Sequence, residues 1–189
     1  RKEADFEKHY RLAVDAVGES AVLLRNENGL LPLNRKEKFL VIGDFFDKIR
    51  YQGSGSALLN PYKLYSHHDV FDKNHVSYEY VKGYKEEETE VDQELENEAL
   101  EKAGAFSGTI LFFGGLNDYV ESEGFDRENL HIPENQVSLL QKLVSMKKKV
   151  VFVLHNGSVV EDGILDKVDA VLDLLLPGEG GAEGCFNLL

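Results

Sequence analysis

Apolar positions along this chain recur in two rhythms. In the opening segment Phe6, Tyr10, Ala13, Val14, Val17, Ala21 and Leu24 are spaced by three and four, which places them on one face of a helix over residues 4–25. Asn26-Glu27-Asn28-Gly29 ends it, with Gly29 suited to a left-handed cap. Leu30, Leu31 and Leu33 then surround Pro32 in an extended connector. The second rhythm is a short unbroken apolar run. Phe39-Leu40-Val41-Ile42-Gly43 is the first, and residues 109–113, 150–154 and 170–176 repeat it, each followed within a few residues by glycine. Such runs, too short and too uniform for an amphipathic helix, fit strands buried on both faces.

Between the runs lie helical patterns at residues 92–103 and 133–146 and a short one at 160–167. Strand, loop, helix, strand predicts an α/β fold: a three-layer sandwich in which a mostly parallel sheet carries helices on both faces. Residues 51–91 are less regular, with Tyr78-Glu79-Tyr80-Val81 as an edge strand. The organisation expected is an opening helix and connector over residues 1–35 and the sandwich over 36–189.

Composition narrows the function classes. The chain has 189 residues, 42% of them hydrophobic, enough for one well-buried domain. Its net charge of −13 argues against a nucleic-acid partner or an anionic membrane, because both are polyanions and no basic stripe compensates. Lys147-Lys148-Lys149, the one basic cluster, follows a helical pattern and suits a helix C-terminus. No apolar run approaches the ~18 residues of a membrane span. Cys185 is alone, so neither an intrachain disulfide nor a cysteine metal cluster can form. Amphipathic patterning is already under way at Arg1 and continues to Leu189, as expected of a piece of a larger protein with the sandwich cut short at its C-terminal end.

Candidate chemistry concentrates in Glu121-Ser122-Glu123-Gly124-Phe125-Asp126-Arg127, an acidic loop after the run at 109–113 and its Gly114-Gly115 turn. Open α/β sheets place ligands at the carboxyl ends of their strands, and clustered carboxylates there would raise one another's pKa toward values useful for proton donation. Gly53-Ser54-Gly55-Ser56 is not a dinucleotide fingerprint, since Leu58 stands where a third glycine belongs and no Gly-Lys-Ser/Thr follows; a turn close to a neutral ligand fits better. His67, His68, Asp69, Asp72 and His75 lie in the irregular stretch without metal-ligand spacing. His155 and Asn156, after a buried run, occupy an edge that either faces ligand or caps the following helix. No metal and no cofactor is expected.

The order of the motifs resembles a known family. Glu19-Ser20-Ala21-Val22-Leu23-Leu24-Arg25-Asn26, with Leu30-Leu31-Pro32-Leu33, is similar to the leading segment of the C-terminal domain of glycoside hydrolase family 3. Val41-Ile42-Gly43, Gly53-Ser54-Gly55-Ser56, the Glu121–Arg127 loop, Asn156-Gly157 and Pro177-Gly178-Glu179-Gly180-Gly181 resemble that family's blocks in that family's order. The resemblance implies part of a retaining, exo-acting β-glycosidase of β-glucosidase type. A triosephosphate-isomerase-type barrel in the same protein would supply an aspartate nucleophile, and this sandwich the acid/base carboxylate. It implies a β-linked glycoside as substrate and an inert chain when alone. Ungapped pairing on the family's "SGEGYDR" favours Glu123 as the acid/base, whereas an "ExEG" pairing keeps Glu121 open. Arg127, Asp126, Ser54 and His155 would contribute to substrate binding or brace the loop. The alternative is a carbohydrate-binding or interface module that has lost catalysis.

Overall fold

The computed structural model describes residues 4–124 and 126–189; Phe125, inside the acidic loop, lies outside them, as do residues 1–3. Helix α1 (Phe6–Ser20) leads into strand β1 (Val22–Asn26). After the connector come β2 (Lys38–Ile42), α2 (His67–Lys73), β3 (Ser77–Val81), α3 (Gln93–Ala105), β4 (Ile110–Gly115), α4 (Glu134–Ser145), β5 (Val150–His155), β6 (Ala170–Asp173) and α5 (Gly181–Leu188). The six strands form one sheet in the order β1-β6-β5-β4-β2-β3, parallel throughout except that β1 runs antiparallel to β6. This is the expected three-layer α/β sandwich.

Alternation along the buried strands sorts side chains to the two helical layers. Phe39, Val41, Leu111, Phe113, Val151 and Val153 pack beneath α1, α2 and α5 through Val17, Val70, Phe71, Cys185 and Phe186. Leu40, Ile42, Ile110, Phe112, Val150 and Phe152 pack beneath α3 and α4 through Ala99, Ala103, Leu139, Leu140 and Leu143. Each such side chain contributes about 1.5–3 kcal/mol by burial, so continuous apolar runs are what a two-faced sheet demands.

Four elements differ from the sequence reading. The opening helix stops at Ser20, where Ala21 turns extended, and residues 22–26 become a strand. Pairing with β6 captures them: Arg25 Nε donates to the Val168 carbonyl at 2.7 Å, and the Asn26 amide clasps Leu31 N–H and carbonyl, both at 2.9 Å. The histidine-containing stretch is helix α2, started by a capping box in which Ser66 and Asp69 satisfy each other's backbone N–H groups. Residues 160–167 make turns rather than a helix, and β6 ends at Asp173, before Leu175 adopts a φ of 57°. Lys148 does serve a helix terminus, but a neighbour's: its Nζ donates to the Phe106 carbonyl, 2.7 Å away, just past the end of α3.

Two glycines set how the strands end. Gly43, after β2, and Gly115, the last residue of β4, have φ of 127° and 137°, a region closed to other residues. A Cβ at Gly115 would lie 1.9 Å from the His155 carbonyl oxygen, and one at Gly43 would lie 2.0 Å from that of Phe113. Gln136 holds the β4 end from α4, accepting from Gly115 N–H at 2.7 Å and donating to its carbonyl at 3.0 Å. The chain direction of the loops that follow is thereby fixed.

Candidate active site

Strand order reverses between β2 and β4, because β3 lies on one side of β2 and β4 on the other. The crevice outside the carboxyl ends at such a point is the ligand site of open α/β sheets. Loops from β2, β4, β5 and β6 meet there around an open cleft of about 390 Å³, walled by Gly53 and Ser54, by the Glu121–Glu123 segment with Asp126 and Arg127, by Gly157 and Ser158, and by Leu176.

The acidic loop is shaped from its first residues. Buried Asn117 accepts from the N–H groups of Tyr119 and Val120 at 3.1 and 2.9 Å, and its amide nitrogen donates to the Glu86 carbonyl. Arg50, a buried guanidinium just ahead of the Gly-Ser-Gly-Ser turn, then ties the loop down through Asp118 and through Glu121 Oε1, 3.3 Å away. Burial lowers the Arg50 pKa, and the Glu121 charge works against that. Sequence reasoning missed Arg50. Its partners lie about 70 positions away, and no local pattern marks it.

The two glutamates occupy different environments. Glu121 is a strut: its Oε1 accepts from Gly157 N–H at 2.6 Å, its Oε2 from Ser158 Oγ at 2.8 Å, and Arg50 covers it from the third side. Gly157 permits this approach, since a Cβ there would meet the Leu176 Cδ1 at 3.0 Å and the Glu121 oxygens at 3.2 and 3.3 Å. Glu123 is exposed, and its protein donors are the N–H of Ser56 at 2.9 Å and the Ser56 hydroxyl, both on Oε2. Those two bonds hold its pKa below the ordinary carboxylate value. The expectation of mutually raised pKa values is not met at Glu123, because its carboxylate points to the serine turn and carries two donors.

The remaining site residues separate. Ser54 Oγ donates to Ser122 Oγ at 2.8 Å, joining the β2 and β4 loops. Asp126 is exposed at the rim. Arg127 braces outward to the β5–β6 connection, donating to Ser158 Oγ at 2.9 Å and the Val159 carbonyl at 2.7 Å, and also to the His131 carbonyl at 3.3 Å. Of the two roles expected for Arg127, these contacts are those of a brace on the loop.

His155 is not in the cleft. As the last residue of β5 its side chain turns into the core, fully buried with its ring 5.7 Å from those of Phe45 and His67. Asn156 caps no helix; its amide nitrogen donates to the Ser158 carbonyl at 3.0 Å. Burial pushes the His155 pKa down from 6.5 to about 4 and drives that of His67 lower as well. Because the unfolded chain binds those protons first, stability is full above the ordinary histidine value and falls as the pH drops from 6.5 through 4. His155 accounts for about 3 kcal/mol of that loss. The urea midpoint of the protein should therefore fall steeply over this window and His155→Leu should flatten the slope; an unchanged slope in the variant would contradict it.

Among the described residues no cluster of three metal-ligating side chains exists, and no helix is long and apolar enough to cross a membrane. The α2 histidines and aspartates serve packing and capping. His67 is buried against Phe46 and Phe113, while His68 Nδ1 and Asp72 share the Tyr78 hydroxyl at 2.9 and 2.8 Å.

Comparison with known proteins matches residues 21–189 to the glycosyl hydrolase family 3 C-terminal domain. The chain is 43% identical over 183 residues to thermostable beta-glucosidase B of Acetivibrio thermocellus, covering 94% of this chain and 24% of that protein. It is 35% identical to an exo-alpha-(1->6)-L-arabinopyranosidase of Bifidobacterium longum, covering 98% of this chain and 26% of that one. The crystal structure of the Bifidobacterium adolescentis GH3 beta-glucosidase superposes with a TM-score of 0.91 at 36% identity, over 98% of this chain and 27% of that one. The chain thus spans about a quarter of the length of these relatives. With a family match over residues 21–189 and a fold that superposes on a solved member, the chain belongs to the glycosyl hydrolase family 3 C-terminal domain family.

Proposed function

We propose that this chain is the acid/base-bearing domain of a retaining, exo-acting β-glycosidase that removes terminal β-linked sugars, with Glu123 as the acid/base. A barrel domain of the same protein would complete the cleft and supply the nucleophile. One observation carries the reading: of two glutamates brought to one cleft, Glu121 is locked by three donors and Glu123 stands exposed at the mouth.

Retention needs two carboxyl groups about 5–5.5 Å apart, one ionised to attack the anomeric carbon and one protonated to serve the departing oxygen. Held as it is by Ser56, Glu123 is ionised at neutral pH, the form that activates water in the second step. Covering by a partner surface and the negative charge of a nearby nucleophile would both raise its pKa, giving the protonated form that the first step uses. Ser54 and Asp126 offer a hydroxyl and a carboxylate to sugar hydroxyl groups at the rim, and Arg127 stiffens the loop from behind.

Similarity to a beta-glucosidase and to an arabinopyranosidase supports a pyranoside in the principal subsite. The test is the stereochemistry of the first product. With aryl β-glucoside and α-L-arabinopyranoside substrates, the complete protein should release sugar of unchanged anomeric configuration in early ¹H NMR spectra, and this chain alone should release none. Inversion, or activity in the isolated chain, would overturn the reading; a complete protein that binds these sugars without cleaving them would point to the carbohydrate-binding module instead.

A further inference from the structure

Among the described residues, the hydrogen-bond donors to the Glu123 carboxylate both come from the Gly53-Ser54-Gly55-Ser56 turn. Gly55 has a φ of 71°, and a Cβ there would stand 3.1 Å from both Glu123 Cβ and Oε2. Its left-handed conformation opens the short turn at Gly55–Ala57 and presents the N–H of Ser56 to the carboxylate. The hydroxyl of the same serine joins it, so both donors converge on Oε2. Oε1 has no protein donor among the described residues. One bond further back, Ser54 Oγ donates to Ser122 Oγ and fixes the turn to the acidic loop.

Resting on the reading of Glu123 as the acid/base, we infer that Ser56 is its positioning residue: double donation to Oε2 parks the carboxyl arm at the cleft mouth and leaves Oε1 to exchange a proton with the glycosidic oxygen. Two donors to one oxygen fix both the direction of the arm and its preference for the ionised form. The charged groups that share the cleft with Glu123 are Glu121, Asp126 and Arg127 of its own loop. The segments facing it from the β2, β5 and β6 loops, Gly53 to Ser56, Gly157 with Ser158, and Leu176, carry no titratable side chain, and Arg50 is engaged with Asp118 and Glu121. Among the described residues Ser56 is accordingly the neighbour whose hydrogen bonds lower the proton affinity of Glu123.

The experiment is the pH dependence of kcat/KM for the complete enzyme on an aryl glycoside with a poor leaving group. Loss of a donor to the ionised form favours the protonated acid, so Ser56→Ala should move the alkaline limb to higher pH. Its plateau should stay well above the level left by removal of the acid/base group itself, which costs about 10²–10⁴-fold. Ser56→Thr, which keeps the hydroxyl, should restore the parent limb. An alkaline limb that stays in place in a folded Ser56→Ala enzyme overturns the role of Ser56. The same holds if Ser56→Ala fails to fold and Ser56→Cys, with its weaker donor, leaves the limb unmoved. If instead Glu123→Gln retains both the limb and the rate, the assignment of Glu123 falls and this inference with it, which separates the two failures.

Discussion

Glu123→Gln in the complete enzyme is expected to slow hydrolysis of alkyl and disaccharide substrates by about 10²–10⁴-fold. The carboxamide can neither protonate the departing oxygen nor later take a proton from water. Dinitrophenyl glycosides should behave differently, since their leaving group departs without a proton. For them the first step survives, the glycosyl-enzyme accumulates, and an early burst precedes slow turnover. Azide, a nucleophile that needs no general base, should then restore turnover and yield a glycosyl azide of retained configuration. Glu121→Gln is the control that gives this meaning. Its carboxylate is bound by Gly157, Ser158 and Arg50, so the change should loosen the acidic loop and lower stability, with no response to azide. Azide rescue of the Glu121 variant and not of the Glu123 variant would exchange the two roles.

Gly115→Ala should be the most damaging single methyl in the fold, costing about 4 kcal/mol or more. The new Cβ would lie 1.9 Å from the carbonyl oxygen of His155 and 2.7 Å from its carbon, both backbone atoms of the adjacent strand. Relief requires β4 and β5 to separate at their carboxyl ends, which also breaks the two bonds from Gln136 that hold the β4 terminus. Gly124→Ala provides the comparison: its φ of 85° is also positive, but nothing lies within 4 Å of a Cβ there, so only local strain of about 1 kcal/mol applies. Thermal melts of both variants decide the matter. A Gly115→Ala protein that melts within a few degrees of Gly124→Ala would mean the strand ends are not as close as described.

The buried strands were legible because a sheet covered on both faces admits little but apolar side chains, and β2, β4, β5 and β6 are written that way. Helices α3 and α4 were legible for the complementary reason, a stripe repeated over three turns. What escaped was decided by partners distant in sequence. Leu24 continues the spacing of α1 through Ala21, and only β6, some 150 residues further on, makes its segment a strand. Helix α2 has seven residues, too few for periodicity to show, although Ser66 and Asp69 carried its capping signature. In the cleft, the acidic loop and the serine turn stood out by composition, whereas the sorting of Glu121 from Glu123 depended on Gly157, Ser158, Arg50 and Ser56, which no local pattern connects. His155 followed the rule that strand ends face ligands, yet its side-chain parity sends it inward.

The cleft draws on four loops, each rooted in a different strand, while the strands themselves are cross-braced by buried rings and glycine junctions. Such an arrangement decouples inheritance from invention: one loop can lengthen, shorten or exchange its polar groups while the platform beneath it and the other three stay as they were. Evolvability of this kind lets a lineage change what its cleft accepts through edits of a handful of codons.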